Sequence, residues 1–313
     1  MSEPNITPLF GWAGPELARE EVAKAREAGL VVSFDQAVES GIIAKEGNTG
    51  KPTLTAWEAS KKVLGQVLPA GRQEIGDCVS WGMKQAGEYR HLIEIASGQE
   101  ERFRRWFAPW IYATSRNQIG QGRISGDGSL GVWAAQAVMK YGVLFEDDKD
   151  VPSYSGSLAR QWGSRSNVSQ PVYQKFFGVA SDNPCFCVEV KSVDEAVKMI
   201  RDFRRPLTIA SLRGFRMEPR NYKGYHVFVP SGTWAHQMCW IEYNEDLGAL
   251  YRLNSWGADA HGQPLNGEAP GGAWNLLDDI EYEFKNMDVE CFALVEFEGQ
   301  PTDPDWHPIR DND

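Results

Sequence analysis

No run of apolar residues in this sequence approaches the roughly 18–20 that a membrane-crossing helix needs. The N-terminus, MSEPNITPLFGWAGPELAREE, lacks the basic start and apolar stretch of a secretory signal. The expectation is a protein outside the membrane, cytoplasmic or associated with a virus particle. Positive charge is also scarce: 32 Lys and Arg stand against 43 Asp and Glu, a net charge of −11. Without a basic stripe to release counterions, nucleic acid is excluded as the main partner. Cysteine is sparse and odd in number (Cys78, Cys185, Cys187, Cys239 and Cys291), which does not make a disulfide framework. There is no CxxC or HExxH, so no metal site is expected. Cys185 and Cys187, two apart on an extended segment, would point to one face and read as small residues beside a strand. There are no internal repeats and no low-complexity tracts.

Aromatics, in contrast, are plentiful, with 12 Trp, 14 Phe and 10 Tyr, and the chain is long enough to bury a large core. Helical spacing marks residues 14–40, with Leu17, Val22, Ala25 and Leu30 on one stripe and Gly29 as a stop. A polar stretch at 44–56 reads as a boundary, and a short helix follows at Trp57–Val67. The best-marked helix runs from an N-cap at Asp77 to a stop at Gly98. Its stripe begins Val79, Gly82, Ala86, small enough to let another element approach closely, so this helix is expected to be central. Further helices are expected at 101–117, 129–141 and 193–204. After residue 205 the pattern changes to short β-rich runs, PLTIASL, YHVFVPS, HQMCWIEYN, ALYRLNSW and CFALVEFE. Helices first and strands second indicate an α+β fold with a cleft between the halves.

Three places in this pattern carry chemistry. Cys78 opens the central helix after a glycine-containing turn. Free N–H groups and the partial positive charge of a helix start favour a thiolate and can receive an oxyanion. His236, in GTWAHQMCWIEY, is expected at the mouth of a strand. Asn254, in YRLNSWG, ends the next strand, where its amide can fix an imidazole's tautomer and Trp256 can cover that bond from water. The acidic turn NEDLGA would place His236 and Asn254 side by side in a hairpin. Thiol, imidazole and orienting amide form a nucleophile–base–orienter set. His226, in GYHVFVP, is the runner-up base; His91 lies in a helix, and His261 and His307 lie in polar loops.

With these residues in view, the sequence resembles the papain-like cysteine peptidases. GDC-V-S-W resembles the family's cysteine-bearing helix start, and HQMCWIEY followed by YRLNSWG its histidine strand and Asn-Ser-Trp-Gly motif. GDGSLGVWAAQAVMKYGV resembles the substrate-binding turn with its following helix, and GGAWNLL the closing strand. The resemblance implies a two-lobe fold, a helical left lobe (about 70–165) and an antiparallel, barrel-like right lobe (about 166–300), within a domain at 66–300. Residues 1–65 would be an N-terminal extension, a pro-segment or an arm for an assembly partner, and 301–313 an acidic tail. It further implies Cys78 as nucleophile, His236 as general acid and base, Asn254 as orienter and Gln73 as oxyanion donor. Asp127 and Gly128 would hold an extended peptide or protein substrate, and Trp256 would shield the site. No cofactor is implied. Two departures from the family stand out: Gln73 is one residue closer to the cysteine than usual, and Val79 stands where Trp is common. The expected activity is endopeptidase. A papain-fold structural or adaptor protein of a phage particle or other assembly, and a cell-wall peptide amidase, are the alternatives.

Overall fold

The computed structural model describes residues 8–43, 54–98, 102–165 and 169–295. Residues 44–53 of the polar boundary at 44–56, His307 and the acidic tail lie outside them. The N-terminal fifth of the chain gives α1 (Pro15–Glu27), β1 (Val32–Ser33), α2 (Phe34–Glu39) and α3 (Ala56–Leu64). The helical stretch expected at 14–40 holds two helices, the first ending just before the stop at Gly29. Gly29 adopts φ 67°, and Ser33 and Gln36 then close a capping box that starts α2. A second box, Thr55 with Glu58, starts α3, and Gly65 in the left-handed region ends it three residues before Leu68.

Next come α4 (Cys78–Ala96), α5 (Ala108–Ala113) with a π-helical turn at Thr114–Ile119, α6 (Gly131–Lys140), α7 (Gly156–Trp162) and α8 (Ser169–Ala180). Pro109 does not interrupt a helix. It sits in the first turn of α5, where its missing N–H costs nothing. The remaining elements are β2 (Phe186–Glu189), α9 (Val193–Arg201), β3 (Leu207–Phe215), β4 (Arg220–Tyr222), β5 (Tyr225–Val227), β6 (Pro230–Asn244), β7 (Ala249–Leu253), β8 (Gly272–Leu276), α10 (Leu277–Asn286) and β9 (Glu290–Val295). The sequence pattern had not marked α7, α8 or α10. In α10 only Ile280 and Glu283 are buried, too few to set up a visible period.

The strands form one sheet in the order β1-β2-β9-β3-β6-β7-β8-β5-β4. Its centre is antiparallel, while β1 with β2 and β5 with β8 pair in parallel. Alternate side chains serve two cores. Cys239 and Ile241 of β6 and Tyr251 and Leu253 of β7 join α1, α3, α4 and α6 on one face. Met238, Trp240 and Leu250 join α2, α9 and α10 on the other. Helix α4 is almost wholly buried. A Cβ at Gly82 would lie 3.2 Å from the Met238 carbonyl, so its missing side chain lets α4 press onto β6. That approach sets Cys78, at the start of α4, against the histidine segment of β6.

Under the second face lies an ion pair, Arg252 Nη1 to Glu283 Oε1 at 2.6 Å, with both side chains 0% exposed. Asn275 Oδ1 also accepts from Arg252 (2.8 Å), and Ser211 Oγ donates to Glu283 (2.6 Å). The guanidinium stacks on Phe215 and Trp240. Removing one member strands a buried charge. Arg252→Met is therefore expected to destabilise the fold by about 3–5 kcal/mol, read as a lowered urea midpoint at unchanged slope.

Candidate active site

Asp77 occupies the N-cap position of α4, but its side chain does not cap the helix. It turns instead to accept a hydrogen bond from the Tyr154 hydroxyl (3.1 Å). Burial pushes its pKa up to about 7. Cys78 follows as the first residue of α4, and its sulfur accepts from the Gln237 N–H at 3.4 Å. Gln237 is the neighbour of His236, so the thiol lies against the histidine's own stretch of strand. His236 is not at a strand mouth. Strand β6 starts six residues earlier than expected, because the Ser231–Gly232 turn signal is absorbed by a bulge in its pairing with β3, and His236 stands opposite Ser211.

The imidazole is 1% exposed. Its Nε2 donates to Asn254 Oδ1 at 2.7 Å, while Nδ1 is buried with no hydrogen-bond partner among the described residues. Trp256 lies over this pair, its ring centroid 4.8 Å from that of His236. Structure thus brings Cys78, His236, Asn254 and Trp256 together. His226 lies elsewhere, on β5 opposite Asn221. His261, read as a loop residue, is the group that sequence reasoning missed. The turn after Trp256 folds back and places its Nε2 2.9 Å from Asn254 Nδ2. The six residues between the two carry no periodicity that could have signalled it.

Gln73 sits in the same cluster. Its Oε1 accepts from the Ser255 hydroxyl (2.6 Å), which fixes the amide, and its Nε2 donates to Ile75 O (2.7 Å) and Leu9 O (3.4 Å). The GDGS turn differs from expectation. The Gly128 N–H already donates to Tyr112 (3.0 Å) and its carbonyl accepts from Arg116, so neither is free for a substrate. One residue later, the backbone of Ser129 is bonded to the N-terminal segment. Asp127 makes a two-pronged pair with Arg160 (3.0 and 2.7 Å), which holds its carboxyl below the usual range.

What covers this cluster is the chain's own N-terminal segment. Ser129 N–H donates to Gly11 O (2.8 Å) and Ala13 N–H to Ser129 O (3.0 Å), a parallel bridge around Trp12. The Phe10 ring packs edge-on to both His236 (6.1 Å) and Trp256 (5.9 Å). The Leu9 carbonyl takes hydrogen bonds from Trp256 Nε1 (3.1 Å) and Gln73. Gly11 lies so close to Gly76 that a Cβ on it would fall 1.9 Å from the Gly76 carbonyl oxygen. This strap leaves Cys78 0% exposed.

The strap also reverses the electrostatics expected of a cysteine at a helix start. Burial, the largest influence, pushes the Cys78 thiol up to about 12 despite N–H groups from Gln237, Gly11 and Val79, and the adjoining Asp77 adds to the rise. Burial likewise pushes His236 down to about 3, against the raising influence of Asn254. The covered pair is a neutral thiol beside a neutral imidazole. A helix terminus contributes on the order of 1 kcal/mol, whereas removing a charge from water costs several.

No family model and no curated protein matches the chain. Among solved structures it is similar to procathepsin B S9 from Trypanosoma congolense, at 9% identity over 92% of this chain and 87% of that one, with a TM-score of 0.50. It is also similar to the proform of the Amb a 11 cysteine protease, a ragweed pollen allergen, at 12% identity over 93% and 77%, with a TM-score of 0.52. Xylellain, a cysteine protease from Xylella fastidiosa, aligns at 14% identity over 81% and 92%, with a TM-score of 0.49. The fold is the two-lobed α+β fold of the papain-like cysteine proteases. Among the described residues no helix is long and apolar enough to cross a membrane, and no group of three or more His, Cys, Asp or Glu is placed to hold a metal ion.

Gly11→Val puts a side chain where the Gly76 carbonyl stands, so the strap cannot seat. Alkylation of Cys78 at pH 7, followed by mass spectrometry, is expected to be slow in the parent chain and at least about tenfold faster in the variant, the equivalent of 1.4 kcal/mol. Equal rates would mean that the strap does not guard the thiol.

Proposed function

We propose that the chain is a cysteine endopeptidase of the papain-like kind, held latent by residues 9–13. The observation that carries the reading is the joint placement of Cys78, His236 and Asn254, with Nε2 of the imidazole committed to the amide and only Nδ1 left to serve the thiol. With the strap displaced, burial no longer holds the pair neutral, and the Cys78 proton passes to His236 Nδ1. The thiolate sulfur attacks the carbonyl carbon of a peptide bond. The resulting oxyanion is received by the Cys78 backbone N–H and by Gln73 Nε2, whose orientation the Ser255 hydroxyl fixes. His236 then gives its proton to the leaving nitrogen as the C–N bond breaks. It next takes a proton from water, which hydrolyses the thioester, releases the acid and returns the thiol.

The strap's Gly11 carbonyl is turned to the Ser129 N–H, its Gly11 N–H donates to Ala235 O (3.2 Å), and its Leu9 carbonyl takes up Gln73 Nε2. Latency of this type fits a chain whose similar structures include two proforms. Residues 1–65 would then act within the molecule before they act on any partner. The Gly11→Val chain is expected to cleave an unfolded protein substrate, and adding Cys78→Ala to it should lower that rate by at least about a thousandfold. A Cys78→Ala chain that still cleaved at the original rate would sink the proposal. Inertness of Cys78 to a thiol-directed epoxide in the opened chain would favour a non-catalytic role in an assembly, which its complete burial in the covered form also suits.

A further inference from the structure

The nucleophile, base and orienter leave one polar contact of the cluster without a role, that of Asn254 with His261. Its donors and acceptors can be assigned from fixed points at both ends. At one end the Ser255 backbone N–H, which can only donate, lies 2.7 Å from Asn254 Oδ1. The amide oxygen therefore faces Ser255 and His236, and the NH₂ faces His261 at 2.9 Å. At the other end His261 Nδ1 lies 2.9 Å from the Met217 carbonyl, which can only accept. Nδ1 thus carries the proton, and Nε2 presents the lone pair that the Asn254 NH₂ requires.

The same direction continues across the amide. Since Asn254 Oδ1 can only accept, His236 must carry its proton on Nε2, which leaves a lone pair on Nδ1, the nitrogen without a partner. The row Met217 carbonyl, His261, Asn254, His236 thus runs in one sense, and it ends on a base able to take the thiol proton. His261 is 1% exposed, walled by Phe228 edge-on at 4.8 Å and by Trp256 at 6.2 Å. Burial lowers its pKa to about 4, in keeping with the single proton that the row requires.

We propose that His261 is a positioning residue. It holds the Asn254 amide from behind and thereby fixes the tautomer and aim of His236. Only the kinetic consequence rests on the peptidase reading; the tautomer stands without it.

Two measurements test the proposal. In the intact chain labelled with ¹⁵N only at its five histidines, long-range ¹H–¹⁵N correlation is expected to show His261 protonated on Nδ1 and His236 on Nε2. His261→Leu, which supplies no acceptor, should cost His236 its single tautomer. In the Gly11→Val background the same change should lower kcat on the order of tenfold at nearly constant KM. His261→Gln can donate to Met217 O through its amide nitrogen and accept from Asn254 through its oxygen, so it should restore both the tautomer and kcat. A proton on His261 Nε2 in the intact chain would overturn the proposal even if the leucine variant failed to fold. So would a leucine variant whose His236 signals and kcat matched the parent's. Absence of any turnover in the opened parent would count against the peptidase reading alone, because the nitrogen signals are read without substrate.

Discussion

One hydrogen bond orders the site: His236 Nε2–H to Asn254 Oδ1, across β6 and the end of β7. A carboxamide has a donor end and an acceptor end, so accepting this bond commits its other end to an acceptor. Because Nε2 is spoken for, the imidazole is left with Nδ1 alone. The surrounding structure serves to keep that bond dry and aligned. Trp256 and Trp234 cover it, the β6–β7 register sets its length, and Gly82 lets α4 bring the thiol within range.

Burial then decides how that arrangement behaves. A cysteine at a helix start is normally tuned toward the thiolate, and the local pieces for such tuning are present. Yet in the covered state the N–H groups at the thiol and the Asn254 amide at the imidazole do not outweigh the lost hydration, so the neutral forms win. In the peptidase proposed above, the pair becomes an ion pair when water reaches it. The strap therefore acts on the protonation states of the two side chains as well as blocking the way to them.

Much of this was legible in the sequence, and the division follows from range. Cys78 at a helix start, the NSWG string and the histidine strand are local patterns, each confined to a few residues. The central helix was legible because Gly82 and Ala86 leave a gap in an otherwise large-residue stripe. Contacts between distant pieces were not legible. Leu9, Phe10 and Gly11 sit in an unpatterned segment, and their place depends on where Gly76, Ser129 and Trp256 end up in three dimensions. His261 was hidden in a polar loop for the same reason. That the Gly128 backbone is already engaged was not legible either, because Tyr112 and Arg116 claim its N–H and carbonyl and neither is near it in sequence. The thiol's protonation was misjudged because desolvation is a property of the whole fold.

Gly14, with φ at 100°, stands between two parts of the chain that are held quite differently. Beyond it, α1 is fastened by Glu21 to Arg123 and Trp133, and by Arg26 to Glu189, and β1 is hydrogen-bonded into the sheet beside β2. Before it, the strap is held by backbone hydrogen bonds, by the Phe10 ring and by the buried Trp12, whose Nε1 donates to Glu290. In the latent peptidase proposed above, a cover displaced from the cluster would stay tethered to α1, at high local concentration and ready to close again.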